Sequence, residues 1–371
     1  MKMKKILFHI NSLGKGGAER VVSVLAEYFA HDGYEVVLTT QWKAQEEYEL
    51  DPTVRRISVG LNADEEKRNR ISKIFLRIRK YRKIIERENP DIVISFCAKA
   101  NFRSAYALTF LPTPLLVSVR NDPHIDYAPY VIATKYMEKK AAGCVFQTEQ
   151  AREFFNRNFQ NKSRIIWNPL SEKFTNVENK EIAIQDRESV IVNIGRITTQ
   201  KNQLLLVKAF EQVSKKYPQY QLHLYGEDSG DGSKEKIDEY IKNNCLQDKV
   251  IFKGVTNQVK EVLNHAYMFV LSSNYEGMPN ALIEAMVTGI PVISTDCPCG
   301  GPSMMIRDGE SGLLVPVGDQ ETLQEAMERI LSNSEFAAQI SSNEMKIIHN
   351  VDPDCVYRQW KEYVDQIIEH R

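Results

Sequence analysis

The chain is short of cysteine, of long apolar runs and of net charge, and each shortage excludes a class of protein. Six cysteines in 371 residues lie scattered at 97, 144, 245, 297, 299 and 355, the usage of a reduced cytoplasmic protein rather than a disulfide scaffold. Cys297-Pro298-Cys299 is the only close pair; without a second Cys/His pair at zinc spacing it does not read as a metal site. No stretch reaches the roughly 20 apolar residues that a membrane-spanning helix needs. Met1-Lys2-Met3-Lys4-Lys5 ahead of residues 6–10 begins like a signal peptide. Its apolar run is too short, however, and is broken by Asn11 and Lys15, so 6–10 reads as a first buried strand. The expectation is a cytoplasmic protein, at most peripheral on a membrane. Forty-eight basic against 49 acidic side chains leave a net charge of -1. That excludes a uniformly basic nucleic-acid binder, and nucleic acid is not expected as a partner.

What is present is an ordinary globular apolar fraction, 43%, in a chain longer than the roughly 250–300 residues at which single cores stop growing. Two domains are therefore expected. Short apolar runs alternate with helical patterns twice over, which predicts two parallel-sheet α/β units. In the first half the runs are 6–10, 36–40, 92–96, 115–119, 143–147 and 164–167; in the second they are 190–194, 221–225, 249–252, 268–271, 291–294 and 312–315. The boundaries read as 1–170, a polar linker at 171–188, 189–350, and an amphipathic C-terminal helix at 351–371. Sheets of this kind bind ligands beyond the carboxyl ends of their strands, and four motifs fall there.

After the first strand, Asn11-Ser12-Leu13-Gly14-Lys15-Gly16-Gly17-Ala18-Glu19 leads into a helix. Gly16 and Gly17 would let an anion approach the backbone at a helix N-terminus. The spacing matches neither the dinucleotide nor the P-loop fingerprint, and a merely flexible turn is the alternative. After the fourth strand comes Arg120-Asn121-Asp122-Pro123-His124; Arg120 could bind an anion or hydroxyl, with an ordinary Asx turn as the alternative. Gly195-Arg196-Ile197-Thr198-Thr199-Gln200-Lys201 places two cations beside a helix start. That is the chemistry needed to hold a diphosphate and to balance a departing negative charge. Finally, Glu276-Gly277-Met278-Pro279-Asn280-Ala281-Leu282-Ile283-Glu284 sets two carboxylates around a helix N-terminus whose open N–H groups should lie near 280–282. Such carboxylates accept hydrogen bonds from sugar hydroxyls.

A fifth feature lies off the strand ends. Residues 67–87 hold ten Lys and Arg, among them Lys73, Arg77, Arg79, Lys80 and Lys83, against Glu86 alone. Ile71, Ile74, Phe75, Ile78, Tyr81 and Ile85 recur at helical spacing. The helix either packs on the core with a solvated cationic face or meets anionic lipid headgroups or a pyrophosphate-linked acceptor. The scarcity of acidic residues favours the second reading.

In this combination the chain resembles the family-4 retaining glycosyltransferases of the GT-B fold over essentially its full length. The match is carried by Gly16-Gly17-Ala18-Glu19-Arg20, Gly195-Arg196 with Lys201-Asn202, the 276–284 segment and Asp308-Gly309-Glu310-Ser311-Gly312-Leu313-Leu314-Val315. The resemblance implies two Rossmann-like, doubly wound domains facing across a cleft, the first binding the acceptor and the second the nucleotide sugar, with the C-terminal helix crossing back to the first. It implies that Arg196 and Lys201, beside Gly195, hold the donor diphosphate, that Glu284 holds the ribose and Glu276 the transferred sugar. The backbone of Gly277, Met278, Pro279, Asn280, Ala281 and Leu282 would complete that site, and Gly16 and Gly17 would face donor phosphates or acceptor. No cofactor or metal is implied, because cations and helix dipoles replace it. The implied reaction retains anomeric configuration by front-face attack, the departing diphosphate helping to deprotonate the acceptor. Glu276, Arg196, Lys201 and Arg120 are the catalytic candidates. Arg120 stands where many members carry histidine, and Met304 where relatives often carry glutamate. The stretches around 118–123 and 167–169 look most like enzymes that extend lipid-linked bacterial oligosaccharides. These point to a UDP-sugar donor, a polyprenyl-pyrophosphate-linked glycan acceptor and an anionic membrane surface at the inner face of the cell membrane.

Two other functions compete. A UDP-N-acetylglucosamine 2-epimerase would need dedicated acid/base residues, which cannot be identified. A non-catalytic sugar-nucleotide binder is opposed by the intact Arg196, Lys201, Glu276 and Glu284. Charge adds one more expectation. Residues 1–168 carry 28 basic and 19 acidic side chains, and the remainder 20 and 30, so near-neutrality is the cancellation of a basic first half and an acidic second.

Overall fold

In the computed structural model, residues 3–175, 182–344 and 347–370 are described; residues 176–181 of the expected linker, Met1 and Lys2 at the start, and Arg371 of the last helix lie outside them. Among the described residues thirteen strands form two sheets, every pairing parallel. The first sheet contains β1 (Lys5–Ile10), β2 (Glu35–Thr40), β3 (Arg55–Ser58), β4 (Ile92–Phe96), β5 (Leu115–Ser118), β6 (Gly143–Phe146) and β7 (Ser163–Ile165), in the order β3-β2-β1-β4-β5-β6-β7. The second contains β8 (Glu188–Ile194), β9 (Gln221–Tyr225), β10 (Val250–Gly254), β11 (Ala266–Leu271), β12 (Val292–Thr295) and β13 (Leu313–Val315), in the order β10-β9-β8-β11-β12-β13. Strand order reverses at β1/β4 and at β8/β11, so each sheet is doubly wound and has its switch point there.

The strands form where the apolar runs are because a parallel strand is covered on both faces: β4, β5, β6 and β11 are buried throughout. The twelve runs read from the sequence all become strands, with ends shifted by one or two residues. β3 was not expected. Its sequence, Arg-Arg-Ile-Ser, has no buried position. It is an edge strand held by its arginines: Arg55 meets Glu88, and Arg56 meets Glu47 at 2.6 Å.

The chain divides into two compact units, residues through Pro169 together with those from Asp354 onward, and Leu170–Pro353. Within the stretch expected to be a linker, Ile184 and Arg187 are buried in the second unit. Arg187 donates from Nη1 to the carbonyls of Leu263, Asn264 and Ala266 and from Nη2 to that of Gly289. It thereby closes the C-terminal ends of two helices whose last carbonyls have no partner within the helix.

The helix Pro353–Glu369 belongs to the first unit. Val356, Tyr357, Trp360, Tyr363, Val364 and Ile367 join the core made by β1, β2 and β4, and Trp360 stacks on Phe96 with ring centroids 5.6 Å apart. Gly143 is needed at the start of β6, since a Cβ there would lie 2.3 Å from Tyr363 Oη. In this unit α1 (Gly17–His31), α2 (Ala63–Glu66) and α3 (Arg70–Glu88) carry or flank candidate residues, and α4 (Ala98–Ala107) carries Arg103.

Candidate active site

In the second unit the chain leaves β8 through Gly195 and enters the helix Gln203–Lys216. Gly195 N–H donates to the Tyr225 carbonyl at 2.9 Å. A Cβ on Gly226 would lie 2.0 Å from the Gly195 oxygen, and Gly226 has φ +148°. The turns after β8 and β9 thus meet backbone to backbone, which only glycine permits at 226. A Cβ on Gly195 would stand 3.3 Å from Lys201 Cε, so the lysine stem lies across the bare turn.

The segment 198–203 is tied to the segment after β11 by a ladder of bonds. Asn274 N–H donates to the Gln200 carbonyl at 2.8 Å, Gln200 Nε2 to the Tyr275 carbonyl at 3.0 Å, Asn274 Nδ2 to the Thr199 carbonyl at 2.8 Å, and Ser272 Oγ to the Lys201 carbonyl at 2.9 Å. At its centre Lys201 Nζ donates to Glu276 Oε1, which also accepts from Ser273 Oγ at 2.7 Å. Lys201 is 17% exposed and Glu276 7%. Arg196 is exposed and makes no ion pair among the described residues; its carbonyl accepts from Gln203 Nε2 at 2.9 Å. The G-R-x4-K and E-x7-E motifs therefore meet directly, through one held cation and one carboxylate, while a second cation reaches solvent. The amides of Gln200 and Asn274 carry no mark in the sequence, because their part depends on contacts some 75 residues away, and Ser273, only three residues before Glu276, belongs to no motif read there.

The second carboxylate, Glu284, is buried on the helix Asn280–Val287. Pro279 is the N-cap of this helix. Leu282 and Ile283 N–H both donate to the Pro279 carbonyl, at 3.1 and 3.2 Å. Leu282 is thus a correction to the open donors expected near 280–282. Behind the loop, a Cβ on Gly301 would lie 1.7 Å from the Gly277 oxygen; Gly277 and Met278 are braced by the start of the short helix Gly301–Met305, which also carries Met304. The Cys297 thiol is pushed up to about 12 by burial and then by the Glu276 charge. It therefore stays protonated, which argues against a thiolate role.

In the first unit the nominated residues do not form one cluster. Gly16 caps α1. A Cβ on it would lie 2.2 Å from Glu19 Oε2, so the carboxylate of Glu19, not among the residues nominated from the sequence, already occupies the space beside the Gly16–Gly17 turn. A phosphate there requires Glu19 to swing away. Arg120 donates from Nη2 to Asn168 Oδ1 and from Nη1 to Ser118 Oγ at 3.3 Å, and lies over the Phe96 ring at 5.4 Å. Its Nε is buried without a hydrogen-bond partner among the described residues, and burial lowers its pKa to about 10. Asp122 is the N-cap of the turn Pro123–Asp126, bonded by His124 N–H at 2.9 Å; the ordinary Asx turn prevails there. On α3 the charge run is partly answered from outside it. Glu66 pairs with Lys73 at 3.5 Å and Arg77 at 2.8 Å, and Glu65 with Lys80. Arg79 and Lys83 are exposed and unpaired among the described residues. The apolar stripe is split: Tyr81 and Ile85 are buried, whereas Ile71, Ile74 and Phe75 are 68%, 50% and 69% exposed. Among the described residues, one group, Glu27, His31 and Asp51 of the first unit, brings side chains of metal-ligating type within 4.8 Å of one another; it contains no nominated residue.

Two doubly wound parallel sheets, each with polar residues at its carboxyl edge, are the architecture of the GT-B glycosyltransferases. Residues 15–173 match the model of Glycosyltransferase Family 4 and residues 175–346 that of Glycosyl transferases group 1. The chain belongs to this family of GT-B glycosyltransferases. Over 366 residues it is 24% identical to a Campylobacter jejuni alpha-1,4-N-acetyl-D-galactosaminyltransferase acting on a GalNAc-GalNAc-diNAcBac-PP-undecaprenol, covering 98% of this chain and 99% of that protein. It is 28% identical over 347 residues to an uncharacterized glycosyltransferase of Methanocaldococcus jannaschii, covering 80% and 84%. Among solved structures, Anabaena HepE in complex with UDP and glucose superposes with a TM-score of 0.79 at 17% identity, over 98% of this chain and 99% of that one. Sucrose-phosphate synthase from Thermosynechococcus elongatus gives 0.81 at 20%, over 99% and 100%.

Proposed function

We propose that this glycosyltransferase moves a hexose or N-acetylhexosamine, with retention of configuration and without a metal, from a UDP-sugar to a lipid-linked glycan in bacterial surface polysaccharide or oligosaccharide synthesis. The observation that carries the reading is the Lys201–Glu276–Ser273 constellation at the carboxyl edge of β8 and β11, with Arg196 exposed beside it. Two cations on one loop suit a diphosphate and offset the charge that grows on it as the glycosidic bond breaks. Glu276 accepts from the hydroxyls of the transferred sugar, Glu284 from the ribose, and the N-terminus of the helix Asn280–Val287 adds its dipole. Support for the donor and acceptor classes comes from relatives and fold neighbours: one acts on a PP-undecaprenol acceptor and another holds UDP and glucose.

On this reading the first unit takes the acceptor. Arg120 lies just beyond β5 with no carboxylate on it among the described residues, and α3 presents Arg79, Lys83 and the exposed Ile71, Ile74 and Phe75 to an anionic bilayer. The expected placement is peripheral, on the inner face of the cell membrane; no helix among the described residues is long and apolar enough to cross it. The test is a calorimetric titration with UDP followed by proton NMR of the product made from a UDP-sugar panel and lipid-linked acceptors in EDTA. UDP binding and a product of unchanged anomeric configuration are expected; an inverted product, or activity abolished by EDTA, refutes the mechanism.

A further inference from the structure

The carboxyl ends of β1 and β2 carry a polar cluster that the proposed reaction leaves unused. His9 is wholly buried on β1. Thr39 Oγ1 donates to the Phe8 carbonyl at 2.8 Å. With its one proton spent there, the hydroxyl accepts from His9 Nδ1, 2.8 Å away. Nδ1 therefore carries the imidazole proton, and Nε2 accepts from Arg103 Nη1 at 2.9 Å. The same Nη1 reaches Asn11 Oδ1 at 3.2 Å. Tyr81 stacks on His9 with ring centroids 4.0 Å apart. Burial, and then the Arg103 charge, hold the imidazole well below its ordinary pKa, so His9 orients the guanidinium without balancing its charge.

Nor does any carboxylate balance it among the described residues. Burial, followed by the like charge of Arg77 from α3, lowers Arg103 to about 10. Gln41, the residue after β2, donates its backbone N–H to the Asn11 carbonyl at 2.8 Å. Its side chain is buried, and among the described residues neither its amide nitrogen nor its oxygen has a hydrogen-bond partner. One corner of the sheet's ligand-binding edge thus gathers an uncompensated cation and an amide with donor and acceptor both unused. Enclosing such a cation is costly unless an anion meets it, and an unmade buried hydrogen bond is costly as well.

We propose that Arg103, Asn11 and Gln41 form an acceptor-side subsite for a phosphate or diphosphate with its adjoining sugar hydroxyls, His9 serving as the positioning residue of Arg103. The inference rests on the reading of the first unit as the acceptor-binding half. The guanidinium fork takes the phosphate oxygens, and the Gln41 amide takes a hydroxyl or acetamido group.

Calorimetric titration of the whole protein with farnesyl diphosphate and with UDP, each alone and each in the presence of saturating amounts of the other, separates this subsite from the donor site. Farnesyl diphosphate is expected to bind protein already saturated with UDP. Arg103→Gln is expected to weaken it at least tenfold while UDP affinity stays within twofold, and Lys201→Gln to do the reverse. His9→Gln, whose amide oxygen can still accept from Arg103, retains farnesyl diphosphate binding, whereas His9→Phe loses it with UDP affinity intact. Displacement of farnesyl diphosphate by UDP overturns the proposal, and that competition needs no variant to fold. Wild-type affinity in Arg103→Gln overturns it equally. If UDP fails to bind while farnesyl diphosphate binds in an Arg103-dependent way, the donor reading fails and the subsite stands.

Discussion

Replacing Lys201 with methionine tests structure and function at the same residue. The variant leaves Glu276, 7% exposed, with Ser273 Oγ on its Oε1 and no cation. Breaking a buried ion pair from one side costs about 3–5 kcal/mol, whereas neutralising both partners at similar volume is close to neutral. Lys201 is 17% exposed, so water relieves part of the loss, and about 2–3 kcal/mol is the working figure. At about 2–4 °C per kcal/mol for a unit of this size, the unfolding midpoint should fall by roughly 4–12 °C. Lys201→Met with Glu276→Gln should recover most of it. UDP affinity separates the two roles. Both Lys201 variants lose a charge-assisted contact worth about 1.5–3 kcal/mol, or roughly 10–100-fold. Glu276→Gln alone removes the carboxylate that competes for Lys201, so it should bind UDP as tightly as wild type or tighter while transfer falls. Differential scanning fluorimetry and calorimetry read both quantities. A single variant that melts with wild type, or a double variant no better than the single, refutes the energetic coupling; unchanged UDP affinity in Lys201→Met refutes the diphosphate role.

Acid should loosen the β3 edge of the first unit. Arg56 holds the Glu47 carboxyl down to about 2, and Arg55 does the same for Glu88. Both folded-state pKa values are depressed below the ordinary 4.5, so the stability they contribute is complete above that value and is lost as pH falls from about 4.5 toward 2. The urea midpoint of wild type should drop through that window, and Arg56→Gln with Arg55→Gln should flatten the profile; an unaltered profile contradicts the assignment. On α3, Arg79→Gln with Lys83→Gln should reduce co-sedimentation with phosphatidylglycerol vesicles about tenfold or more at low salt, at about 1 kcal/mol per cation. Ile71→Ser with Phe75→Ser should reduce it without changing the salt dependence, and binding unchanged by either pair removes the bilayer from the proposal. Trp360→Ala, which empties the stack on Phe96, should cost about 3–5 kcal/mol, seen as a lowered urea midpoint with UDP affinity retained; a midpoint unchanged from wild type would show that the last helix does not hold this core.

The fold was legible because a doubly wound sheet writes itself locally: each covered strand needs its own apolar run, and each crossover its own helical period. β3 escaped for the same reason. An edge strand with arginines on both faces needs no apolar run, and its hold comes from Glu47 and Glu88, one upstream and one at the end of a helix 30 residues on. The basic helix shows the limit of counting within a window. Asp64, Glu65 and Glu66 stand just before residue 67, and folding brings Glu65 and Glu66 back over Lys73, Arg77 and Lys80. Periodicity could not separate Tyr81 and Ile85, which meet the core, from Ile71 and Phe75, which do not, because the spacing is the same.

The candidate site divides along the same line. Residue types and spacing were enough to put two cations on one strand end and two carboxylates around one helix start, since glycine after a strand and proline before a helix mark those positions locally. Which cation meets which carboxylate is a contact between residues 75 apart, and it distinguishes side chains that look equivalent in the sequence. Arg196 and Lys201 share a loop, yet only Lys201 is held, by Glu276. On the proposed reading, a diphosphate arriving at that loop meets a Lys201 that already donates to Glu276, the carboxylate assigned to the sugar, and an ammonium has three N–H donors to share between them. Donor binding and sugar recognition are then coupled through one ammonium, with Ser273 Oγ also on the Glu276 carboxylate. In the first unit no comparable partner exists for Arg103 among the described residues, whose neighbours are neutral or cationic. The two ends of the proposed reaction thus differ in kind: the donor-side cation Lys201 has an internal carboxylate partner, and the acceptor-side cation Arg103 has none among the described residues.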